Sequence, residues 1–480
     1  MSESDPDALP VLAPAREAPP PDPRPSDPRL DEDDRLKPQF VREVMERVEA
    51  GDAAAAQAMV EPLHPADLAD LFELVDSDDR RQLAAALAGL LDADVLAEMN
   101  DHVREELVDA LDPRQVADLA GDMETDDAVA MIEDMEEEEQ RAVLRELDPD
   151  DRAAIEEALT YPEESAGRLM QRDLIAVPEH WTIGQVIDYL RAGDDLTTEF
   201  WEIFVVDPQH HPVGTCMLSW VLRAKRDTAM ADIMQREQTL IPVDMDQEEV
   251  ALRFQKYALI SAAVTDGSGR LVGMITVDDI VHIIQEEASE DVLLLSGAGE
   301  GDINEPIWQT VRRRLTWLVV NLGTAIIAAS VVSLFQGELS RLIVLAVLMP
   351  IVAGMGGNAG TQTMAVTVRA LATNQLTSSN TRRMIFREVR IAATNGLALG
   401  ALIGTGVWLR YGMADLGLVI ALAMLINNLI AGLAGILIPV TLDKANIDPA
   451  VSSAVFVTMA TDVMGFFSFL GLATLWGLHG

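Results

Sequence analysis

Cysteine is almost absent from this chain: Cys216 is the only one in 480 residues. An internal disulfide is excluded, and a reducing compartment fits. Lysine is nearly as scarce, at Lys37, Lys225, Lys256 and Lys444, and aromatic residues make up 5% of the chain. The formal net charge is -44. No cluster of bases marks the acidic part as a phosphate binder, so nucleic acid is not an expected partner. No apolar signal segment opens the sequence, and the expectation is that the hydrophilic half stays in the cytoplasm.

What is present is unevenly spread. From Arg312 onward there are six acids (Glu338, Glu388, Asp415, Asp443, Asp448, Asp462) and eleven bases, a balance of +5, so the first 311 residues carry -49. An acidic hydrophilic region is joined to a mildly basic apolar one. An acidic surface gathers cations. A general acidic bias of the kind seen in salt-adapted proteins accounts for the excess equally well, but not for where particular acids cluster.

Residues 1–36 are rich in Pro, Asp and Ser with little to bury and read as a disordered tail. Residues 37–160 show helical spacing of Ala, Leu and acids. Leu63-His64-Pro65, Leu111-Asp112-Pro113 and Leu147-Asp148-Pro149 each open an acidic helix, with proline at a first helical position. Over residues 161–284 a motif recurs: Leu169-Met170-Gln171-Arg172 and Ile233-Met234-Gln235-Arg236. A Val/Ile-Pro step, a helix and a β-rich run follow each copy. The two α/β halves resemble a tandem of cystathionine-β-synthase (CBS) repeats, which implies sensing of nucleotides or other small ligands. Thr276 and Asp279 match that family's Thr/Ser-x-x-Asp for ribose and phosphate. The first copy has Met217 and Trp220 there, leaving at most one ordinary adenosine site for ATP.

Residues 277–311 read as a connecting helix and linker, with the helix over Val277–Ser296. Ile280, Ile284, Ala288, Val292 and Leu295 make an apolar stripe; Asp279, His282, Glu286 and Glu290 make another face, with Glu287 and Asp291 beside it. Like charges at this spacing repel. A divalent cation removes that penalty; a solvated acidic face is the plainer reading.

Residues 312–480 hold five apolar stretches of spanning length, about Leu315–Phe335, Leu342–Leu371, Met384–Leu409, Leu416–Leu442 and Val451–Leu478. Arg312 to Arg314, the group Arg369, Arg382, Arg383 and Arg387, and Lys444 fall on one side; Arg341 and Arg410 fall on the other. The positive-inside bias puts the N-terminus in the cytosol and the C-terminus outside. In the second stretch Gly354, Gly357, Asn358 and Thr361 share a face. Close packing explains such glycines through the Gly356 and Gly360 pair; a thin polar wall for a hydrated ion explains them together with Asn358 and Thr361. Asp462 lies inside the fifth stretch, where a carboxylate costs about 3 kcal/mol unless it meets a partner, a polar cavity or a cation. The absence of a Cys or His cluster argues against Cu or Zn, and a lone carboxylate suits Mg²⁺, which keeps its waters.

The segment from Pro350 to Gln362, with Asp448-Pro449-Ala450 and Asp462, resembles MgtE-type magnesium channels, as does the order of the parts. The resemblance implies a multi-domain α-helical membrane protein with five spans, a cytosolic all-α domain and an α/β CBS pair. It implies a homodimer in the cytoplasmic membrane, in contact with lipid, whose ion path lies on the two-fold axis. Asp462 would be the selectivity carboxylate, with Gly354, Gly357, Asn358 and Thr361 on the wall. Cytosolic Mg²⁺ would close the pore by bridging acids, matched here by Glu248, Asp279, Glu287, Glu290 and Asp448. His282 and Ala258 stand where the family can have carboxylates. A cation-coupled divalent metal exporter on the same scaffold stays open as an alternative. An intramembrane aspartyl protease needs a second carboxylate, and Glu388, flanked by Arg387 and Arg390, reads as an interface residue.

Overall fold

The computed structural model describes residues 27–133, 135–192, 200–296, 307–445 and 447–477. Most of the expected tail, the linker at 297–306 and the end of the last apolar stretch lie outside them, as do the side chains of Asp291 and Val451. The chain divides into two compact units, one of residues 1–123 and 131–148, the other of 124–130 and 149–480.

The first unit is a set of short helices. Proline starts Pro65–Glu73 and Pro113–Asp122 as the sequence predicts, and the preceding residue closes the exposed N–H groups. Asp112 accepts from Arg114 N and Gln115 N, while Gln115 reaches back to Asp112 N, so two otherwise orphaned donors are satisfied reciprocally. The apolar faces meet in a core around Val44, Leu71, Phe72, Leu83 and Leu87. Packing begins earlier than the expected tail boundary: Leu30 pairs with Leu36, and Leu36 is buried in that core.

In the second unit the duplication is a pair of three-stranded sheets, β1 (Ala176–Pro178), β2 (Glu202–Val206) and β3 (Pro212–Met217), then β4 (Leu240–Pro242), β5 (Ser261–Thr265) and β6 (Leu271–Thr276). In each, the first strand pairs parallel with the second and the second antiparallel with the third. Each has its irregularity at the same place, Val205/Val206 and Val264/Thr265. The repeated Met-Gln-Arg motif holds the halves together by exchange. Gln171 of the first copy exchanges backbone hydrogen bonds with Met274 of β6, and Gln235 of the second with Thr215 of β3. Glycine is required beside both crossings. A Cβ on Gly273 would stand 2.8 Å from Gln171 O, and one on Gly214 2.8 Å from Gln235 O.

The connecting helix runs over Val277–Ser296, as expected. Its buried side differs from the expected stripe. Ile280 and Ile283 enter the core of the second repeat, Leu294 and Leu295 pack against Met364 and Val457, and Val292 is 66% exposed. The helix changes partner along its length, so no single stripe serves it.

Five helices are long and apolar enough to cross a membrane: Ile307–Ser333, Val344–Ala372, Thr381–Tyr411, Ala414–Lys444 and Pro449–Leu475, here spans one to five. The expected fold class holds. A short helix, Gln336–Arg341, intervenes between the first two. Span four is the hub, touching spans two, three and five. Spans three and four meet along glycines: Gly396, Gly400 and Gly404 lie against Leu425, Ala421 and Gly417, with a Cβ on Gly400 only 2.7 Å from Ala421 O. Span one packs along span five and buries only Ala328.

Candidate ion path and acid-lined sites

Span two has two glycine faces with different surroundings. A Cβ on Gly360 would meet Val457 Cγ1 at 2.6 Å and Thr461 Cγ2 at 3.4 Å, and one on Gly356 would fall on the Asn427 side chain. On the other face a Cβ at Gly354 or Gly357 meets no atom within 4 Å. Gly354, Asn358 and Thr361 are exposed and Gly357 is partly so; the Thr361 hydroxyl donates to Gly357 O at 3.0 Å. The two faces of this glycine-dense segment thus differ in what surrounds them. Packing takes Gly356 and Gly360 and leaves the polar face uncovered.

The same contacts fix span five against span two. Thr461, fully buried, lies against Gly360, and Asp462 follows it, partly exposed. The residue before the carboxylate thus packs within the Gly357–Thr361 turn. Glu388 departs from the sequence expectation. It is 6% exposed, buried between helices, with Thr363 Oγ1 and Arg387 Nη1 each at 3.5 Å. The cause is Gly432, whose lack of a side chain lets span four approach the Glu388 backbone.

On the hydrophilic side a cavity of about 330 Å³ is lined by Glu248, Glu287, Glu290 and Asp448. Four of the five residues matched to the sensing set thus share one cleft. Glu164 and Asp246 line it as well, and neither stood out in the sequence. Among the described residues that line it there is no Lys or Arg. Several of these acids have local roles: Asp246 accepts from Glu248 N, Asp448 from Ala450 N at 2.8 Å, and Glu287 from Gln247 Nε2 at 2.7 Å. Asp448 caps span five, so the cleft ends on the helix that carries Asp462.

Asp279 stands apart from that cleft. Its carboxylate accepts from the Thr276 hydroxyl at 2.5 Å and from Gln171 Nε2 at 3.3 Å. At 3.4 Å from Thr276 N it also reaches back over the start of the connecting helix, which is half of a capping box. Gln171 Nε2 also donates to Glu124. Burial, despite the Thr276 hydrogen bond and with Asp278 and Asp127 adding charge, pushes the Asp279 carboxyl up to about 6. Loss of hydration and then the charge of Asp279 push Glu124 to about 7. Asp126 is raised well above the usual range by burial and then by Asp279, Asp127 and Glu124, and its Oδ1 is buried without a hydrogen-bond partner among the described residues. Glu124 and Asp126 escaped sequence reasoning because acids open nearly every helix of this region. Among the described residues no three His, Cys, Asp or Glu side chains are drawn together around a single ion.

Comparison with known proteins shows the family to which the chain belongs. A family model described as MgtE, divalent cation transporter, matches residues 349–472; the MgtE intracellular N domain matches 63–164; the CBS domain matches 230–286. The chain is 31% identical to the magnesium transporter MgtE of Enterococcus faecalis over 88% of its length and 89% of that protein's. It is 30% identical to the magnesium transporter MgtE of Thermus thermophilus, over 90% of this chain and 97% of that one. The solved cytosolic domain of the Mg²⁺ channel MgtE in complex with ATP is 28% identical, covering 51% of this chain and 99% of its own, with a TM-score of 0.47. The chain belongs to the MgtE family of magnesium transporters.

Proposed function

We propose that the chain works as a Mg²⁺ channel, passing the ion down its gradient through a path bounded by Asp462, Gly354, Gly357, Asn358 and Thr361. The observation that carries this reading is the uncovered polar face of span two beside the Asp462 turn, left open while the opposite glycine face is closed by packing. A hydrated Mg²⁺ needs acceptors for its waters more than direct ligands. Backbone carbonyls, an amide, a hydroxyl and one carboxylate supply them. The exposed polar face of a single chain fits a homodimer in which a second copy completes the path, with the C-terminus outside.

Closure by cytosolic Mg²⁺ is the second part of the reading. Glu248, Glu287, Glu290 and Asp448 surround one cleft between the second CBS repeat, the connecting helix and the cytosolic end of span five. A cation there offsets mutual repulsion and draws the three parts together. Asp279 acts in the same sense toward Asp126 and Glu124. ATP binding at the CBS pair would use Thr276 and Asp279 as ribose and phosphate contacts, and these two side chains are already hydrogen-bonded to each other. The test is flux into liposomes with proton and sodium gradients collapsed and cytosolic-side Mg²⁺ titrated. A channel follows the Mg²⁺ gradient and shuts as cytosolic Mg²⁺ rises; dependence on a proton or sodium gradient would favour the coupled exporter.

A further inference from the structure

Between Leu416 and Val440 span four has only two polar side chains, Asn427 and Asn428. Asn427 is 0% exposed and sits where spans two, four and five meet. Its Nδ2 donates to Val352 O of span two at 2.8 Å. Two glycines make room for it, one on each neighbouring helix. A Cβ on Gly356 would fall on the amide, and one on Gly465 would stand 2.7 Å from Nδ2. Gly356 immediately precedes Gly357 and is two residues from Asn358. Gly465 is three residues, about one helical turn, after Asp462. One amide thus touches both helices within about one helical turn of the carboxylate and the polar wall.

Stability alone does not account for this residue. The Oδ1 of Asn427 is buried with no hydrogen-bond partner among the described residues. An unmade buried hydrogen bond costs at least as much as an interhelical one returns at this depth. An apolar side chain of equal volume would fill the space without that cost. What only the amide supplies is a directed bond to one carbonyl, which fixes the rotation and height of span two against span four, while span five packs on the same amide at Gly465.

We propose that Asn427 is a positioning residue: it sets the gap between Asp462 and the Gly354–Thr361 wall, and so the selectivity for Mg²⁺ over a larger divalent cation. The inference rests on the ion path proposed above. Mg²⁺ holds its waters in a fixed octahedron, whereas Ca²⁺ is larger and sheds them readily, so a small change in the gap alters their ratio before it stops conduction.

The experiment uses the full chain in liposomes, measures Mg²⁺ and Ca²⁺ flux separately, and records melting temperature. Asn427→Leu keeps the number and branching of the side-chain heavy atoms and removes the donor. It is expected to melt at or above the parent temperature while the Mg²⁺ to Ca²⁺ flux ratio falls about tenfold. Gly356→Ala pushes the same amide from the opposite side and is expected to lower the ratio as well. The double variant is expected to fall no further than the single ones, because both act through one contact. An unchanged ratio in Asn427→Leu, an additive double variant, or loss of folded protein in Asn427→Leu would overturn the proposal. Asp462→Asn separates the two levels: if it leaves Mg²⁺ flux intact, the ion path itself is wrong. If it abolishes flux while Asn427→Leu keeps the parent ratio, only the positioning role fails.

Discussion

Gly360 and Val457 leave no space between spans two and five: a Cβ on the glycine would stand 2.6 Å from Val457 Cγ1. Three residues earlier, Gly357 faces open space. The same substitution should therefore act in opposite ways along one helix. Gly360→Ala is expected to cost about 1–3 kcal/mol through overpacking, seen as a lower melting temperature of the purified protein. Gly354→Ala, which meets nothing within 4 Å, should melt like the parent and show its effect in Mg²⁺ flux instead. Equal melting of the two variants would break the assignment of faces.

The acid-lined cleft predicts a gating phenotype without a pore defect. Replacing Glu248, Glu287 and Glu290 by Gln preserves volume and removes three of its negative charges. Flux at low cytosolic Mg²⁺ should stay near the parent level, while the concentration that half-closes the channel should rise about tenfold or more. The readout is liposome flux against cytosolic-side Mg²⁺. An unchanged half-closing concentration would remove this cleft from the gate.

The cluster around Asp279 predicts a pH dependence of defined sign. Its folded carboxyl titrates at about 6, against an ordinary 3.8. The protonated form is thus favoured by the packed arrangement, and the stability it brings is fully present below the unfolded value and lost as pH rises through about 6. Without divalent cation, the backbone of residues 124–130 should lose hydrogen-exchange protection between pH 5 and 7.5, after correction for intrinsic rates. Mg²⁺ at pH 7.5 should restore it. Asp126→Asn, which replaces the carboxylate whose Oδ1 has no partner among the described residues, should weaken both effects.

Much of this was legible in the sequence, for physical reasons that differ by element. A carboxylate and a run of glycines inside apolar stretches are costly, so Asp462 and the Gly354–Thr361 face announce themselves. The CBS duplication was visible as Met170-Gln171-Arg172 and Met234-Gln235-Arg236, although not the exchange that makes each motif close the other half's sheet. What helical spacing cannot show is which partner covers each face. Val292 belongs to an apolar stripe yet is exposed, because the connecting helix leaves the CBS core before it reaches span five. Glu388 looked like an interface acid beside two arginines and is buried, because Gly432 on another helix admits it. Asn427 carried no motif at all; its meaning comes from two glycines far away in sequence. The protease alternative required an enzyme, and the family's members are transporters.

The central claim is that Asp462 is the carboxylate that admits Mg²⁺ to the path. It is tested most directly by Mg²⁺ flux into liposomes containing Asp462→Asn, a change that keeps size and removes only charge. We predict a fall of about tenfold or more at equal amounts of folded protein, since a lone carboxylate supplies most of the attraction at this depth. Parent-level flux in that variant would contradict the account.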